Sequence, residues 1–169
     1  MATEQKRAWF GRTVAALAVT VGLIAVAGPS GAASLRIVDA ALEVGGETQL
    51  VNFAVDDATG IEGFELTMAY DPAVVRIAGP LRRTAATEGC LLVDNSTEPG
   101  TLRIALACLS PLQGGGVLLT VPLQARAPGT SPFAITYCRV NEQLSNDHAV
   151  GMVTVLDPSA ATTLASSQP

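Results

Sequence analysis

Apolar residues alternate with polar or small ones along most of the chain, in short stretches. Between residues 61 and 70, Phe64, Leu66, Met68 and Tyr70 share one parity, and Glu65, Thr67 and Ala69 the other. Successive side chains of a strand point to opposite faces, so this pattern predicts a half-buried strand. Asp71-Pro72 ends it, because proline has no N–H to give to a ladder. The stretch 101–108 reads the same way, with Leu102, Ile104 and Leu106 against Arg103, Ala105 and Ala107. Further strands are expected at 35–38, 48–55, 73–77, 91–93, 117–126, 133–140 and 150–156. Pro122 marks an edge or a bulge in the seventh of these nine. Turns fall at 43–47, 56–60, 95–100, 110–116 and 128–130, and 79–89 reads as irregular. No segment keeps a 3.6-residue period over three turns. Short strands at regular spacing, each with one apolar face, describe an all-β sandwich.

The first 32 residues break this pattern. Lys6, Arg7 and Arg12 precede an apolar run from Thr13 to Ala27, and Gly28-Pro29 and small residues follow. The run reaches roughly 22 Å as a helix, short of a hydrocarbon core of about 30 Å. A basic head, a short apolar stretch and a small-residue site describe a secretory signal peptide cut after Ala32 or Ala33, and hence an extracellular protein. The alternative is an uncleaved N-terminal anchor that borrows Ala8 to Gly11. At the other end, residues 157–169 are rich in Ala, Ser, Thr and Pro and read as a disordered tail. One domain, 34–156, lies between.

Removing residues 1–32 changes the charge balance. They hold three of the ten Lys/Arg and one of the fifteen Asp/Glu, so the remainder has seven against fourteen, a net charge of −7. All seven basic residues are arginines. An acidic domain without a basic cluster is a poor partner for nucleic acid or anionic lipid. Cys90, Cys108 and Cys138 remain, and their spacing is not that of a zinc site. Export permits one disulfide with a thiol left over; three small buried hydrophobes are the other reading.

Catalytic patterns are missing. The chain has a single histidine, His148, in the polar stretch 144–148, and residues adjacent on a loop do not aim at one another as Ser, His and Asp must. There is no Gly-x-Ser-x-Gly elbow, P-loop or zinc-protease helix. Carboxylates are plentiful, but a small sandwich with few long loops offers little cleft for a glycosidase pair. The expectation is a binding protein without catalytic residues, metal or cofactor. Asn95-Ser96-Thr97 matches an N-glycosylation acceptor.

Several stretches occur in the order of one known family. Gly60-Ile61-Glu62-Gly63-Phe64-Glu65-Leu66-Thr67-Met68-Ala69-Tyr70-Asp71-Pro72, with the short apolar strand after it, resembles the third strand and following turn of a cohesin domain. Gly114-Gly115-Gly116 with the strand to Arg126, the turn at 127–133, and Gly151-Met152-Val153-Thr154-Val155 resemble later parts of that domain. The resemblance implies a jelly-roll sandwich of about nine strands. It also implies a protein partner, a dockerin module, in assemblies that degrade extracellular polysaccharide. The binding face would carry outward residues of the family's third, fifth and sixth strands: Glu65 and Thr67; Leu91 and Val93; and Arg103, Ala105 and Ala107. Two departures stand out. Ala105 and Ala107 lie where cohesins often present larger or acidic groups, and Cys108 falls near a position that is often acidic. On the same parity, antiparallel pairing of 91–93 with 102–106 would bring Cys90 to Cys108, leaving Cys138 free.

Two other functions compete. A carbohydrate-binding module usually stacks sugars on exposed aromatic rings. Trp9 leaves with the signal, and Phe53, Phe64, Phe133, Tyr70 and Tyr137 fall on strands that need core residues, so polysaccharide is the second choice of partner. A structural or adhesive surface domain with another partner is the third reading.

Overall fold

The computed structural model describes residues 34–158. The segment 1–32 lies outside them, as does all of the tail except Asp157 and Pro158. Twelve strands form: β1 Leu35–Ile37, β2 Ala40–Glu43, β3 Gln49–Val55, β4 Gly63–Ala69, β5 Val75–Ile77, β6 Arg82–Arg83, β7 Cys90–Asn95, β8 Thr101–Cys108, β9 Gly116–Ala125, β10 Gly129–Val140, β11 Gln143–Leu144 and β12 Gly151–Leu156. A single 3₁₀ turn, Ala85–Thr87, precedes β7.

The alternating stretches become strands because each has water on one side and a second sheet on the other. The smaller sheet runs β1-β3-β9-β5, with β6 also on β9. The larger runs β2-β12-β10-β4-β8-β7, with β11 on β10. All nine expected strands form. β2, β6 and β11 are additions, two to four residues long, too short to alternate visibly. The apolar parity of β4 (Phe64, Leu66, Met68) and that of β8 (Leu102, Ile104, Leu106) are buried together with Val51, Phe53, Leu119 and Leu123 of the facing sheet. Phe53 and Phe64 meet across the sandwich at 5.8 Å between ring centroids. Burying each such side chain is worth about 1.5–3 kcal/mol.

The Tyr70-Asp71-Pro72 motif works as a corner. Tyr70 is buried and stacks on Phe133 at 5.3 Å. The Asp71 N–H donates to the hydroxyl of fully buried Ser131 at 2.9 Å, and the Asp71 carboxylate accepts from the Ala73 N–H at 2.8 Å. The strand therefore stops with its ring in the core, and its carboxylate starts the turn into β5.

Two proline- and glycine-bearing sites need tertiary reasons. Pro122 is neither at a sheet edge nor in a bulge. It lies within β9, opposite the gap between β5 and β6, where Ala78 donates to its carbonyl and no strand requires the N–H it lacks. Gly151 begins β12 where the chain crosses from β1 to β2. A Cβ there would stand 2.0 Å from the Ile37 carbonyl oxygen, so only glycine fits. Asp39 ties the same crossing by accepting from the Met152 N–H at 2.8 Å.

Candidate partner-binding face

The candidate residues come from three neighbouring strands of the larger sheet. Its outer face can be read in rows across the strands. One row runs Leu91, Ala107, Gly63. The next runs Val93, Ala105, Glu65, Arg139, Leu144. The third runs Asn95, Arg103, Thr67, Tyr137. Glu65, Thr67, Leu91, Val93, Arg103, Ala105 and Ala107 thus lie side by side on β4, β7 and β8, all pointing away from the core. Leu91 is 68% exposed and Val93 57%. The two alanines leave a low centre between this apolar edge and the charged side chains.

Five residues of these rows were not among those expected: Gly63 and Asn95 lie on strands already chosen, whereas Tyr137, Arg139 and Leu144 come from β10 and β11. Phe133 and Ile135 face inward, so strict alternation would put Tyr137 in the core as well. Thr136 is an extra residue in β10 at a bulge opposite β4, and its hydroxyl donates to the Thr67 carbonyl at 3.2 Å. After the bulge the parity reverses: Tyr137 turns outward, 37% exposed, Cys138 turns inward, and Arg139 lies beside Glu65. The expectation that Tyr137 would serve the core is therefore corrected. Leu144 enters through β11, a strand too short to read from sequence.

A shallow groove of about 530 Å³ crosses the centre, lined by Gly63, Glu65, Ala105, Ala107, Arg139 and Asn141. Asn141 fixes its end. It sits at φ 46°, and its side-chain oxygen accepts from the N–H groups of Glu62 (2.7 Å) and Gly63 (3.3 Å), while its amide donates to the Gly60 carbonyl at 2.8 Å. These bonds lock the turn after β10 to the start of β4. The face's ion pairing is loose: Arg103 lies 3.6 Å from Glu98, both well exposed, a pair worth little in water. The guanidinium of Arg139 donates to the Glu142 carbonyl of the following turn at 3.0 Å. Asn95, of the glycosylation-type triplet, accepts from the Thr97 N–H and hydroxyl.

Cys90 and Cys108 form a disulfide, directly paired between β7 and β8, and Cys138 is buried as a free thiol whose burial raises its pKa. His148 is outside the three rows, in a parallel bridge to Leu35, and its backbone N–H donates to the Asn146 carbonyl of its own loop at 3.0 Å.

No protein-family model matches the sequence, and no curated protein does. Solved structures do match. A non-cellulosomal cohesin from the archaeon Archaeoglobus fulgidus superimposes with a TM-score of 0.64 at 13% identity, over 78% of this chain and 96% of the other. The sixth cohesin of scaffoldin B from Acetivibrio cellulolyticus, solved in complex with a dockerin, gives 0.63 at 14% identity, over 73% and 99%. A cohesin module of a family 33 glycoside hydrolase from Clostridium perfringens gives 0.56 at 15%, over 74% and 97%. The fold is cohesin-like. The matches take in 96–99% of each of these cohesin chains, so the likeness is one of the whole sandwich and not of a single sheet.

Proposed function

We propose that this cohesin-like chain is an exported, non-catalytic module that holds a dockerin-type protein on the outer face of its larger sheet, within an extracellular polysaccharide-degrading assembly. The observation that carries the reading is the face itself. Leu91 and Val93 stand exposed along one side, Ala105 and Ala107 form a low centre with Arg103 farther along the same strand, and Glu65, Arg139 and Tyr137 stand along the other side. An interface wants an apolar patch that excludes water and a few charged or aromatic anchors that fix register. Solved neighbours with this fold carry dockerins, which supports a protein as the partner.

The test is a pull-down of secreted proteins with residues 34–169. Capture of a dockerin-bearing protein is expected, and Glu65→Arg is expected to weaken it at least roughly tenfold, equivalent to about 1.4 kcal/mol. Capture that ignores Glu65→Arg places the site on another face. The carbohydrate reading gains one observation, the outward ring of Tyr137. Retention on insoluble polysaccharide without a protein partner, lost in Tyr137→Ala, would replace the dockerin reading.

A further inference from the structure

The disulfide ties the edge of the binding face at a strand that is paired on one side only. β7 is the edge strand of the larger sheet and pairs with β8 alone. Of its six residues only Cys90 is buried; Leu92 and Asp94 are half-buried and the other three are exposed. Those three are Leu91, Val93 and Asn95, the outward residues that β7 gives to the face. The chain on either side is anchored independently of the bridge. Upstream, the buried Thr87 hydroxyl donates to the Leu118 carbonyl at 2.7 Å, and Thr84 donates to that of Val117 at 2.7 Å. Downstream, β8 lies between β7 and β4 and buries Leu102, Ile104 and Leu106. Besides the bridge, the Cys90 carbonyl accepts from the Arg83 guanidinium at 2.6 Å. An edge strand with one buried side chain, itself half of a disulfide, belongs to the low-stability end of a fold.

The bridge is also within reach of solvent. A groove of about 450 Å³, lined by Gly89, Cys90, Cys108, Leu109, Pro111 and Gln113, opens beside it. Cys108 is half-buried where Cys90 is 4% exposed, so Cys108 is the more open half of the bridge. Cys138, on the inner side of β10, is buried away from solvent.

We infer that the Cys90–Cys108 disulfide is a redox control on this binding face: oxidised, it holds β7 in register and presents Leu91 and Val93; reduced, it lets β7 fray while the rest of the sandwich stays folded. This rests on the docking reading above. An external dithiol supplies the two electrons. Its thiolate attacks Cys108 Sγ, the S–S bond breaks, and Cys90 leaves as a thiolate and takes up the proton the dithiol lost. The second thiolate of the reagent then attacks the mixed disulfide, releasing Cys108, which takes the second proton. The reagent is left as a disulfide and the protein as two thiols.

The experiment is amide hydrogen exchange of the whole protein, oxidised and after dithiothreitol, beside the Cys90→Ser/Cys108→Ser double variant without reductant. Residues 91–95 should exchange at least roughly tenfold faster in the reduced protein and in the variant, with β4 and β10 keeping their protection. Reoxidation should restore the slow exchange. Unchanged protection at 91–95 overturns the inference. So does loss of protection in all strands together, which would make the bridge a support of the whole fold. Affinity for a dockerin captured by the oxidised protein should fall about tenfold on reduction, in proportion to the fraction of molecules with β7 in place; equal affinity in the two states overturns the control. The exchange arm uses no partner, so an oxidised protein that captures no dockerin defeats the docking reading and leaves the behaviour of β7 to be read by itself.

Discussion

Replacing Gly151 by alanine tests the crossing that joins the two sheets. The new Cβ would stand 2.0 Å from the Ile37 carbonyl oxygen and 2.8 Å from its carbon. Neither wall can move alone. Ile37 is held by pairing with Phe53, and Gly151 pairs with Phe133 in the antiparallel ladder of β10 and β12, two residues before β12 begins its parallel pairing with β2. Relieving the overlap means parting two backbone segments by about an ångström in a close-packed interior. Overpacking of this kind costs 1–3 kcal/mol, occasionally more, and rigid walls argue for the upper end, about 3 kcal/mol. Unfolding entropy near 2.1 cal/mol/K per residue gives about 0.26 kcal/mol/K for the roughly 125 residues of the sandwich, so Tm should fall by about 11 °C. Gly89→Ala is the control. Nothing lies within 4 Å of a Cβ at Gly89 and its φ is ordinary, so alanine should be neutral or slightly stabilising there. Paired thermal melts followed by circular dichroism decide the matter. A Gly151→Ala protein melting within about 3 °C of the parent would refute the claim that the crossing leaves no room for a side chain.

Three further outcomes are expected. Deleting Thr136 should remove the bulge and leave the parity of Tyr137, Cys138 and Arg139 unchanged, for a loss under about 2 kcal/mol; urea titration measures the cost, and exposure of Cys138 to a thiol reagent in the folded variant would show the register idea to be wrong. Cys138 itself should resist alkylation at neutral pH until the protein is unfolded, because burial keeps the thiol neutral. Its folded pKa lies above the unfolded value of 9.0, so its contribution is fully present below pH 9 and is lost as pH rises through the folded value. Cys138→Ala should therefore flatten the alkaline fall in stability, as read by urea midpoints from pH 8 to 10.

How much of this could be read beforehand differs from strand to strand. β4 and β8 were legible because each separates water from core, and that contrast is written residue by residue in Phe64, Leu66 and Met68 against Glu65, Thr67 and Ala69. Their spacing also gave the outward set, Glu65, Thr67, Arg103, Ala105 and Ala107, and the hairpin across the 95–100 turn put Leu91, Val93 and Cys90 in place, because a local turn fixes antiparallel register. Tyr137 and Arg139 were hidden by one inserted residue. A bulge reverses parity without leaving any mark in composition, so the alternation from Phe133 and Ile135 pointed the tyrosine the wrong way. Leu144 was hidden because two residues cannot show a period.

The sequence by itself determined the all-β class, the strands that border water, the corner at Tyr70-Asp71-Pro72 and the acidic, histidine-poor composition. These follow from local contrasts between neighbouring residues. Only the tertiary structure decided the rest. It seated β2 against β12 more than a hundred residues away, showed Pro122 to face a gap between two short strands, and demanded glycine at 151 by the approach of Ile37. It also brought Tyr137 and Arg139 beside Glu65. Each depends on which distant backbone arrives alongside, and a linear pattern of polarity does not carry that information.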